Sequence, residues 1–253
     1  MDSAHPPATD RFRVLGVAVD RLTLAQAAER VEALMVMGGA VQVVTVNPEF
    51  VIAARTDQQF RRVLNEAAVA VADGIGLVWA AHLLGDMLPE RIGGIDLVET
   101  LAERCAVSGR RLFLLGGGPG VADAAADALR ARYPRLIVAG THAGTPRADD
   151  FPGIQTLIRD ARPDLLLVAF GAPAQDLWIA RHQAELAVPV AIGVGGAFDF
   201  LAGRVRRAPR WMQHLGLEWL YRLALQPWRW RRMLALPRFA AMVLVLRIAG
   251  KPR

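Results

Sequence analysis

Polar residues follow four of the short apolar runs that are predicted as β-strands. The run VQVVTV contains Thr45 and is followed by Asn47, and the run AVAVA is followed by Asp73. Gln175 comes shortly after LLLVAF, and Asp199 comes shortly after VAIGVG. In open α/β sheets, ligands bind beyond the carboxyl ends of the strands. Each residue alone could be a turn residue or a helix cap, but four polar strand ends together favour a functional site.

The elements that position these residues alternate between strand and helix signals. The strand candidates are FRVLGVAV, VQVVTV, AVAVA, RLFLLG, LIVAG, LLLVAF and VAIGVG. The amphipathic segments between them include LTLAQAAERVEALM, DLVETLAERCAVSG, VADAAADALRARY and FPGIQTLIRDAR. Apolar runs without clean alternation, separated by helices, are typical of a parallel sheet that is covered on both faces. The sequence therefore predicts an α/β fold of Rossmann-like topology with a largely parallel sheet.

A glycine-rich stretch, Gly116 to Gly120, follows the strand candidate RLFLLG and precedes a helix. Backbone amides at such a position can bind phosphate, although a plain tight turn explains the glycines equally well. The spacing differs from G-x-G-x-x-G, and the next strand ends without the acidic residue that would bind a ribose. The pattern disfavours NAD, and no cofactor is predicted.

Other catalytic and metal-binding patterns are missing from the sequence. The five histidines are scattered and there is one cysteine, so that no motif such as H-E-x-x-H is present. The chain has no D-x-D pair, no Walker A sequence and no G-x-S-x-G nucleophile motif. We therefore predict neither a metal site nor a serine hydrolase.

The basic residues are concentrated in the last 50 positions. Residues 204–253 contain eleven arginines and one lysine but a single acid, Glu218, whereas the whole chain has a formal net charge of +6. The residues before this segment are therefore net acidic. A basic segment of this kind predicts an anionic partner, and charge alone leaves nucleic acid, anionic lipid and a diphosphate substrate open.

Within this basic segment, Trp219, Trp228 and Trp230 lie among arginines, leucines and methionines. Tryptophan and arginine beside apolar residues are typical of an amphipathic helix on the surface of an anionic membrane. The apolar content is too high for a nucleic-acid-binding segment, and no nucleic acid partner is expected. The alternative is a helix packed on the rest of the protein with a solvated arginine face. We expect membrane contact.

The chain is predicted to have three parts. Residues 1–10 are expected to be a disordered leader, residues 11–203 an α/β domain, and residues 204–253 a basic, Trp- and Arg-rich helical appendage. The N-terminus lacks the basic and apolar regions of a secretory signal. Proline and arginine interrupt the most apolar run, MLALPRFAAMVLVLRIAG, so no transmembrane helix is predicted. We expect a cytoplasmic protein that is peripheral on the inner face of the plasma membrane.

A series of motifs points to one known family. They are T-x-N-P-E at 45–49, D-G at 73–74, E-R-I-G-G-I-D at 90–96, F-L-L-G-G-G-P-G-V-A at 113–122, G-x-P-x-Q at 171–175, G-V-G-G-A-F-D-F-L-A-G at 193–203, R-A-P-R-W-M at 207–212 and G-L-E-W-L-Y-R-L at 216–223. Together they resemble the WecG/TagA/CpsF family, glycosyltransferase family 26, from about Thr45 to Arg232. The chain departs from the family at Ala174, where the family commonly has the lysine of P-K-Q-E.

The resemblance implies an inverting, metal-independent glycosyltransferase of the GT-E fold. Such an enzyme moves a hexose or N-acetylhexosamine-type sugar from a UDP-sugar to a polyprenyl-diphosphate-linked sugar in bacterial cell-surface polysaccharide biosynthesis. By match to the family's motifs, Asp73 is the catalytic base. The residues implied to line the substrate site are Thr45, Asn47, Arg91 and Gln175, with Asp199 near the nucleotide. The arginines expected to contact the membrane or the acceptor diphosphate are Arg222, Arg229, Arg231 and Arg232.

These residue types suit the implied chemistry, although individual residues have alternatives. Inverting transfer needs a carboxylate that accepts the proton of the acceptor hydroxyl, and without a metal, arginines and backbone N–H groups must stabilise the departing UDP. Arg91 could instead form a surface salt bridge with Glu90 or Asp96. Gln175 could be an ordinary first-turn residue of a helix, and Asp199 could cap a turn.

Two other functions stay open at this point. A Rossmann-type oxidoreductase or epimerase would need a better glycine fingerprint, and a nonenzymatic membrane adaptor leaves the polar strand ends unexplained. The sequence does not identify the donor sugar, for which N-acetylmannosamine, its uronic acid and glucose are alternatives, or the acceptor sugar. It also leaves the oligomeric state open, including a homo-oligomer.

Overall fold

The computed structural model describes residues 10–214 and 216–250, apart from the side chains of Arg210, His214 and Arg229. The leader that is predicted to be disordered, residues 1–10, lies outside the described residues except for Asp10.

Six parallel strands form the main sheet, in the order β4-β3-β8-β7-β5-β6. Their bounds are β3 Val41–Val46, β4 Val69–Ala72, β5 Arg111–Gly116, β6 Ile137–His142, β7 Leu165–Ala169 and β8 Val190–Gly193. In the register of the sheet, Val43 of β3 pairs with Val69 of β4 on one side and with Ile192 of β8 on the other. The predicted α/β class with a largely parallel sheet is confirmed, and the carboxyl ends of β3, β4 and β8 lie side by side.

Helices cover both faces of this sheet, because successive side chains of a strand point to opposite faces. Val43 packs into the apolar cluster on one face, and Val44 and Val46 pack into the cluster on the other. The first face carries α1 (Leu24–Met37), α5 (Gly94–Ser108), α6 (Val121–Arg132) and α9 (Ala197–Leu201). The second carries α2 (Pro48–Ala54), α3 (Gln58–Glu66), α4 (Ile75–Leu83), α7 (Phe151–Ala161), which follows a one-turn 3-10 helix at Ala148–Asp150, and α8 (Ala174–Leu186).

The four predicted amphipathic segments form α1, α5, α6 and α7, and the start of α1 shows the local reason. The Thr23 hydroxyl accepts a hydrogen bond from the Gln26 N–H, and the Gln26 side chain accepts one from the Thr23 N–H at 2.9 Å. This capping box satisfies two backbone donors that the first turn leaves free. Val31, Leu34 and Met35 then bury the apolar face of the helix.

The prediction of FRVLGVAV as one strand is wrong. β1 (Arg11–Val14) and β2 (Val17–Asp20) form a separate antiparallel hairpin. The two turn residues, Leu15 and Gly16, have φ angles of 50° and 86°. Positive φ at both positions is the geometry of a two-residue turn that matches the twist of a hairpin. Leucine rarely adopts positive φ, so the sequence carried only a weak turn signal here.

Beyond α9, the regular elements of the described chain are all helices. The elements are α10 (Arg210–His214), α11 (Glu218–Leu225), a 3-10 helix at Pro227–Arg229, α12 (Trp230–Met233) and α13 (Ala235–Ala249). Helix α13 packs against α2 and α4, where Phe239 and Val243 enter the hydrophobic core. Within the described ranges, every helix falls short of the length and hydropathy that a membrane-crossing segment needs. The boundary between α/β domain and appendage at residue 203 stays a prediction.

Candidate active site

A cavity of about 200 Å³ opens at the carboxyl ends of β3, β4 and β8. One wall comes from the loops that follow these strands, and the other comes from the appendage, residues 204–253. The charged and amide side chains that line it are Asn47, Glu49, Asp73, Arg91, Arg207, Glu218 and Arg222. The structure therefore brings four of the predicted site residues together, whereas Thr45, Gln175 and Asp199 do not line the cavity.

Asp73 follows β4 directly, and its backbone N–H donates to the Val46 carbonyl at 2.6 Å, which fixes the residue at the cavity floor. Burial raises the pKa of its carboxyl from the usual 3.8 to about 7, and the charge of Glu218 adds to this rise. The positive charges of Arg91 and Arg222 and a hydrogen bond from the Gly94 N–H oppose it. A carboxyl that titrates near neutral pH can accept a proton far better than an ordinary aspartate.

Arg91 extends into the cavity and pairs with an acid of the appendage. Its Nη1 donates to Glu218 Oε2 at 3.0 Å, and its Nη2 lies 3.8 Å from Asp96 Oδ2. Glu90, the other alternative partner, instead accepts a hydrogen bond from the Leu24 N–H. The guanidinium is therefore an element of the cavity wall with an ion-pair partner that is distant in sequence.

Asn47 and Thr45, at the end of β3, have different positions. Asn47 lines the cavity, and its Oδ1 accepts a hydrogen bond from the Phe50 N–H at 3.0 Å, so that it also caps α2. Thr45 is buried, and its hydroxyl donates to the Gly193 carbonyl at 3.4 Å. Thr45 thus joins β3 to β8 behind the cavity wall, and its contact with a substrate stays a prediction.

Gln175 lies in the first turn of α8 and holds two loops together. Its side chain is 1% exposed, and its Oε1 accepts hydrogen bonds from the N–H groups of Gly171 at 3.1 Å and Gly195 at 2.9 Å. These glycines belong to the loops after β7 and β8. The observed contacts position the loop beside the cavity, and a direct role of Gln175 in substrate binding stays a prediction.

Asp199 lies within α9, away from the cavity lining. Its backbone carbonyl accepts a hydrogen bond from the Val205 N–H at 3.1 Å. Its Oδ2 lies near Gly196, where an added side chain would come within 3.8 Å of it. The residue is therefore one helical turn from the loop that lines the cavity, and its place beside a nucleotide stays a prediction.

The predicted arginines of the appendage divide into different environments. The guanidinium of Arg222 lines the cavity, lies 4.8 Å above the ring of Phe200, and has a pKa that burial lowers against the charges of Glu218 and Asp73. Arg232 donates a hydrogen bond to Glu49 at 2.9 Å. Arg231 is exposed, and its guanidinium lies 5.5 Å from the centre of the Trp230 ring. The side chain of Arg229 lies outside the described residues.

Sequence reasoning missed three charged residues that line the cavity, namely Glu49, Arg207 and Glu218. Arg207 donates to Asp96 Oδ2 at 2.8 Å, and its Nε lies 3.8 Å from Glu218 Oε1. Positive and negative side chains therefore alternate on one side of the cavity, in the order Arg91, Glu218 and Arg207, with Asp96 next to them. The motifs R-A-P-R-W-M and G-L-E-W-L-Y-R-L contain Arg207 and Glu218, but the charge of this segment alone indicated only a basic surface. Glu49 ends the motif T-x-N-P-E, from which only Thr45 and Asn47 were assigned to the site.

The glycine-rich stretch after β5 does not line the cavity. Gly116 has a φ of 102°, and a side chain there would lie 2.7 Å from the backbone of Ala169. This close approach and the positive φ require glycine.

Known proteins resemble this chain over most of its length. Residues 12–253 match the sequence model of the glycosyl transferase WecG/TagA/CpsF family. A relative in Bacillus subtilis (strain 168), 38% identical over 200 residues that cover 79% of this chain and 77% of its own, is named N-acetylglucosaminyldiphosphoundecaprenol N-acetyl-beta-D-mannosaminyltransferase. Relatives of the same name in Staphylococcus aureus strains MW2 and NCTC 8325 are 35% and 34% identical, and the matches cover 87% and 91% of both chains. The resemblance of the motifs is confirmed: the chain is a glycosyltransferase and belongs to the WecG/TagA/CpsF family.

Proposed function

We propose that the enzyme transfers a sugar from a UDP-sugar to a polyprenyl-diphosphate-linked sugar, with inversion and without a metal, in bacterial cell-surface polysaccharide biosynthesis. The observation that carries the proposal is a carboxyl with a pKa of about 7, that of Asp73, in one cavity with the guanidinium groups of Arg91 and Arg222. The names of the relatives indicate N-acetylmannosamine as the donor sugar and N-acetylglucosamine as the acceptor sugar.

In the proposed reaction, Asp73 accepts the proton of the acceptor hydroxyl while the hydroxyl oxygen attacks the anomeric carbon. The bond between that carbon and the UDP oxygen breaks on the opposite face of the sugar, and UDP leaves with the electron pair. The anomeric configuration is inverted by this single displacement. The acceptor hydroxyl loses its proton only as its oxygen forms the new bond. The base must therefore be ionised at neutral pH and yet accept a proton readily, and a carboxyl with a pKa near 7 meets both requirements.

Positive charge for the departing UDP is available from side chains of this chain. Arg91, Arg207 and Arg222 all line the cavity that contains Asp73. Guanidinium groups bind phosphate oxygens through paired, charge-assisted hydrogen bonds, and in a partly buried cavity these bonds are stronger than in water. These three residues support the proposal of a metal-independent mechanism.

We also propose that the appendage docks on an anionic membrane surface at the inner face of the plasma membrane and presents the cavity to the lipid-linked acceptor. Helix α13 leaves Val245 and Ile248 63% and 85% exposed, and Trp228 before it is 71% exposed. Apolar and aromatic side chains of this kind, with basic residues such as Arg231 beside them, suit the interface between headgroups and acyl chains.

A donor panel tests the proposed function. Purified protein is incubated with several UDP-sugars, among them UDP-N-acetylmannosamine, and with a polyprenyl-diphosphate-N-acetylglucosamine acceptor, and released UDP is measured. UDP release should require both substrates and should continue at the same rate in EDTA. No release with any donor, or loss of activity in EDTA that Mg²⁺ restores, would contradict the donor class or the metal-free mechanism respectively.

A further inference from the structure

Glu218 is the one acidic side chain in residues 204–253, and it points into the cavity. It begins α11 and is 19% exposed. Its Oε2 accepts a hydrogen bond from Arg91 Nη1 at 3.0 Å, and its Oε1 lies 3.8 Å from Arg207 Nε. A strongly basic segment thus contributes its single acidic side chain to a position between two arginines of the cavity wall.

The surroundings of this carboxylate are those of an anion site. Arg222 lies one helical turn after Glu218 on α11, so both side chains face the same side of the helix. The guanidinium groups of Arg91, Arg207 and Arg222 all line the cavity with it. The Nε groups of Arg207 and Arg222 are buried and, among the described residues, have no hydrogen-bond partner. These two donors are therefore unsatisfied beside the cavity.

Building on the proposed function, we propose that Glu218 is a positioning residue that takes the place of a substrate diphosphate oxygen in the free enzyme. Its carboxylate holds Arg91 and Arg207 in the cavity until a diphosphate group enters and replaces it as their partner. Without this anion, the neighbouring guanidinium groups would repel each other, and their uncompensated positive charge would attract an entering diphosphate more strongly. With it, the cavity exchanges one anion for another, and the arginines need little rearrangement.

Inorganic pyrophosphate is the probe that tests this exchange, because it binds without a sugar or a nucleotide. Its dissociation constant is measured by titration calorimetry for the wild type, Glu218→Gln and the matched control Glu99→Gln. Glu99 pairs with Arg132 on α6 and lies outside the cavity that holds Asp73, so its substitution removes one charge but frees none of the three arginines. Pyrophosphate should bind about 3- to 10-fold tighter to Glu218→Gln and within about twofold of wild type to Glu99→Gln.

A purely structural role of Glu218 gives the opposite result. If Glu218 only held the appendage in place, Glu218→Gln would bind pyrophosphate equally or more weakly, and either outcome overturns the proposal. The Tm of each variant is measured alongside. Glu218→Asp keeps the competing charge with little change in shape and should restore wild-type pyrophosphate binding to within about twofold. Tight binding by Glu218→Asp would also overturn the proposal.

Kinetics provide a second readout. The charged groups that face Asp73 are Arg91, Glu218 and Arg222, together with the N–H of Gly94. Removing the charge of Glu218 should shift the acid limb of kcat/KM to lower pH and should lower KM without raising kcat, because only ground-state binding improves. If the acid limb of kcat/KM for Glu218→Gln stays at the wild-type pH, the result contradicts a role of Glu218 in this cavity. If the wild type transfers no sugar at all, the proposed function fails, while pyrophosphate binding still decides the role of Glu218.

Discussion

The two walls of the cavity are held in different ways. The α/β wall consists of loops at the ends of β3, β4 and β8, and backbone hydrogen bonds fix them, such as the 2.6 Å bond from Asp73 to Val46. The charged residues of the appendage wall are Arg207, Glu218 and Arg222. Arg207 and Glu218 form ion pairs with Asp96 and Arg91 of the α/β domain, and Arg222 lies over the ring of Phe200. Main-chain hydrogen bonds restrict a residue more than exchangeable charge pairs do. The α/β wall therefore holds the reacting group, Asp73, in a fixed position, whereas the arginines of the appendage wall can change their anionic partners.

The largest effect should come from the fixed wall. Asp73→Asn removes the proton acceptor and should lower kcat by about 10²- to 10⁴-fold, with UDP binding within a few-fold of the wild type. Because the active form is the carboxylate and its pKa is about 7, wild-type kcat/KM should fall as the pH decreases below 7. Stopped assays from pH 5.5 to 8.5 measure both effects. Near-normal turnover of Asp73→Asn would show that Asp73 is not the base and that the α/β wall does not supply the reacting group.

Substitution on the appendage wall should cost less. Arg222→Gln removes one of three guanidinium groups, and we expect kcat/KM to fall by about 10- to 100-fold, since Arg91 and Arg207 remain. The matched control is Arg238→Gln on α13, an exposed arginine outside the cavity, which should stay within about twofold when a short water-soluble acceptor is used. A decrease as large as that of Asp73→Asn would mean that the arginines do not share the charge of the leaving group.

The α/β wall was largely predictable from the sequence because it follows from local pattern. Apolar runs located the strands, and the positions of Asn47 and Asp73 directly after β3 and β4 located the cavity floor. The local turn at Leu15 and Gly16 escaped prediction, since its leading residue is an unusual one for positive φ. Side-chain direction also escaped: Gln175 has the expected place in the chain, but its amide oxygen bonds two backbone loops.

The appendage wall was less predictable because its contacts span long stretches of sequence. Arg91 and Glu218 are 127 residues apart, and Arg207 and Asp96 are 111 residues apart. The hydrophobic periodicity of the sequence gives no signal for two residues that pair over such a distance along the chain. A count of charges describes the appendage as a basic surface, and this description hides that its single acid and two of its arginines face inwards. The packing of α13 on α2 and α4, together with the ion pairs to Arg91 and Asp96, holds the appendage over Asp73.

The outer side of the appendage should give a smaller effect, on membrane binding. Arg231→Glu combined with Ile248→Glu changes an exposed charge and an 85% exposed apolar side chain, and neither residue lines the cavity. Partition onto vesicles that contain phosphatidylglycerol should fall about tenfold, because both the electrostatic and the apolar attraction are reduced. Co-sedimentation measures it, with Arg130→Glu on α6 as the control. Equal partition of the double variant would place the membrane contact elsewhere.

The smallest effect on sugar transfer concerns Asp176, a buried carboxyl of α8 that lies against Gly193 at the end of β8. It is 0% exposed, and an added side chain at Gly193 would lie 2.6 Å from its Oδ1. Burial raises its pKa to about 7, against a contact with Gln175 that lowers it. The folded state therefore binds more protons than the unfolded state between about pH 4 and pH 7, and this residue makes the fold less stable as the pH rises through that window.

Asp176→Asn removes this titration, so the variant should gain about 2 to 3 kcal/mol of unfolding free energy relative to the wild type on going from pH 5 to pH 8. Urea unfolding at the two pH values measures the difference. Asp164→Asn is the matched control, because Asp164 accepts hydrogen bonds from Arg110 and from the Arg111 N–H, and its loss should destabilise the protein at both pH values. If Asp176→Asn destabilises the fold equally at pH 5 and pH 8, the carboxylate is satisfied in the folded state. The α/β wall would then contain a second ionised acid beneath the cavity, and main-chain bonds alone would not account for its rigidity.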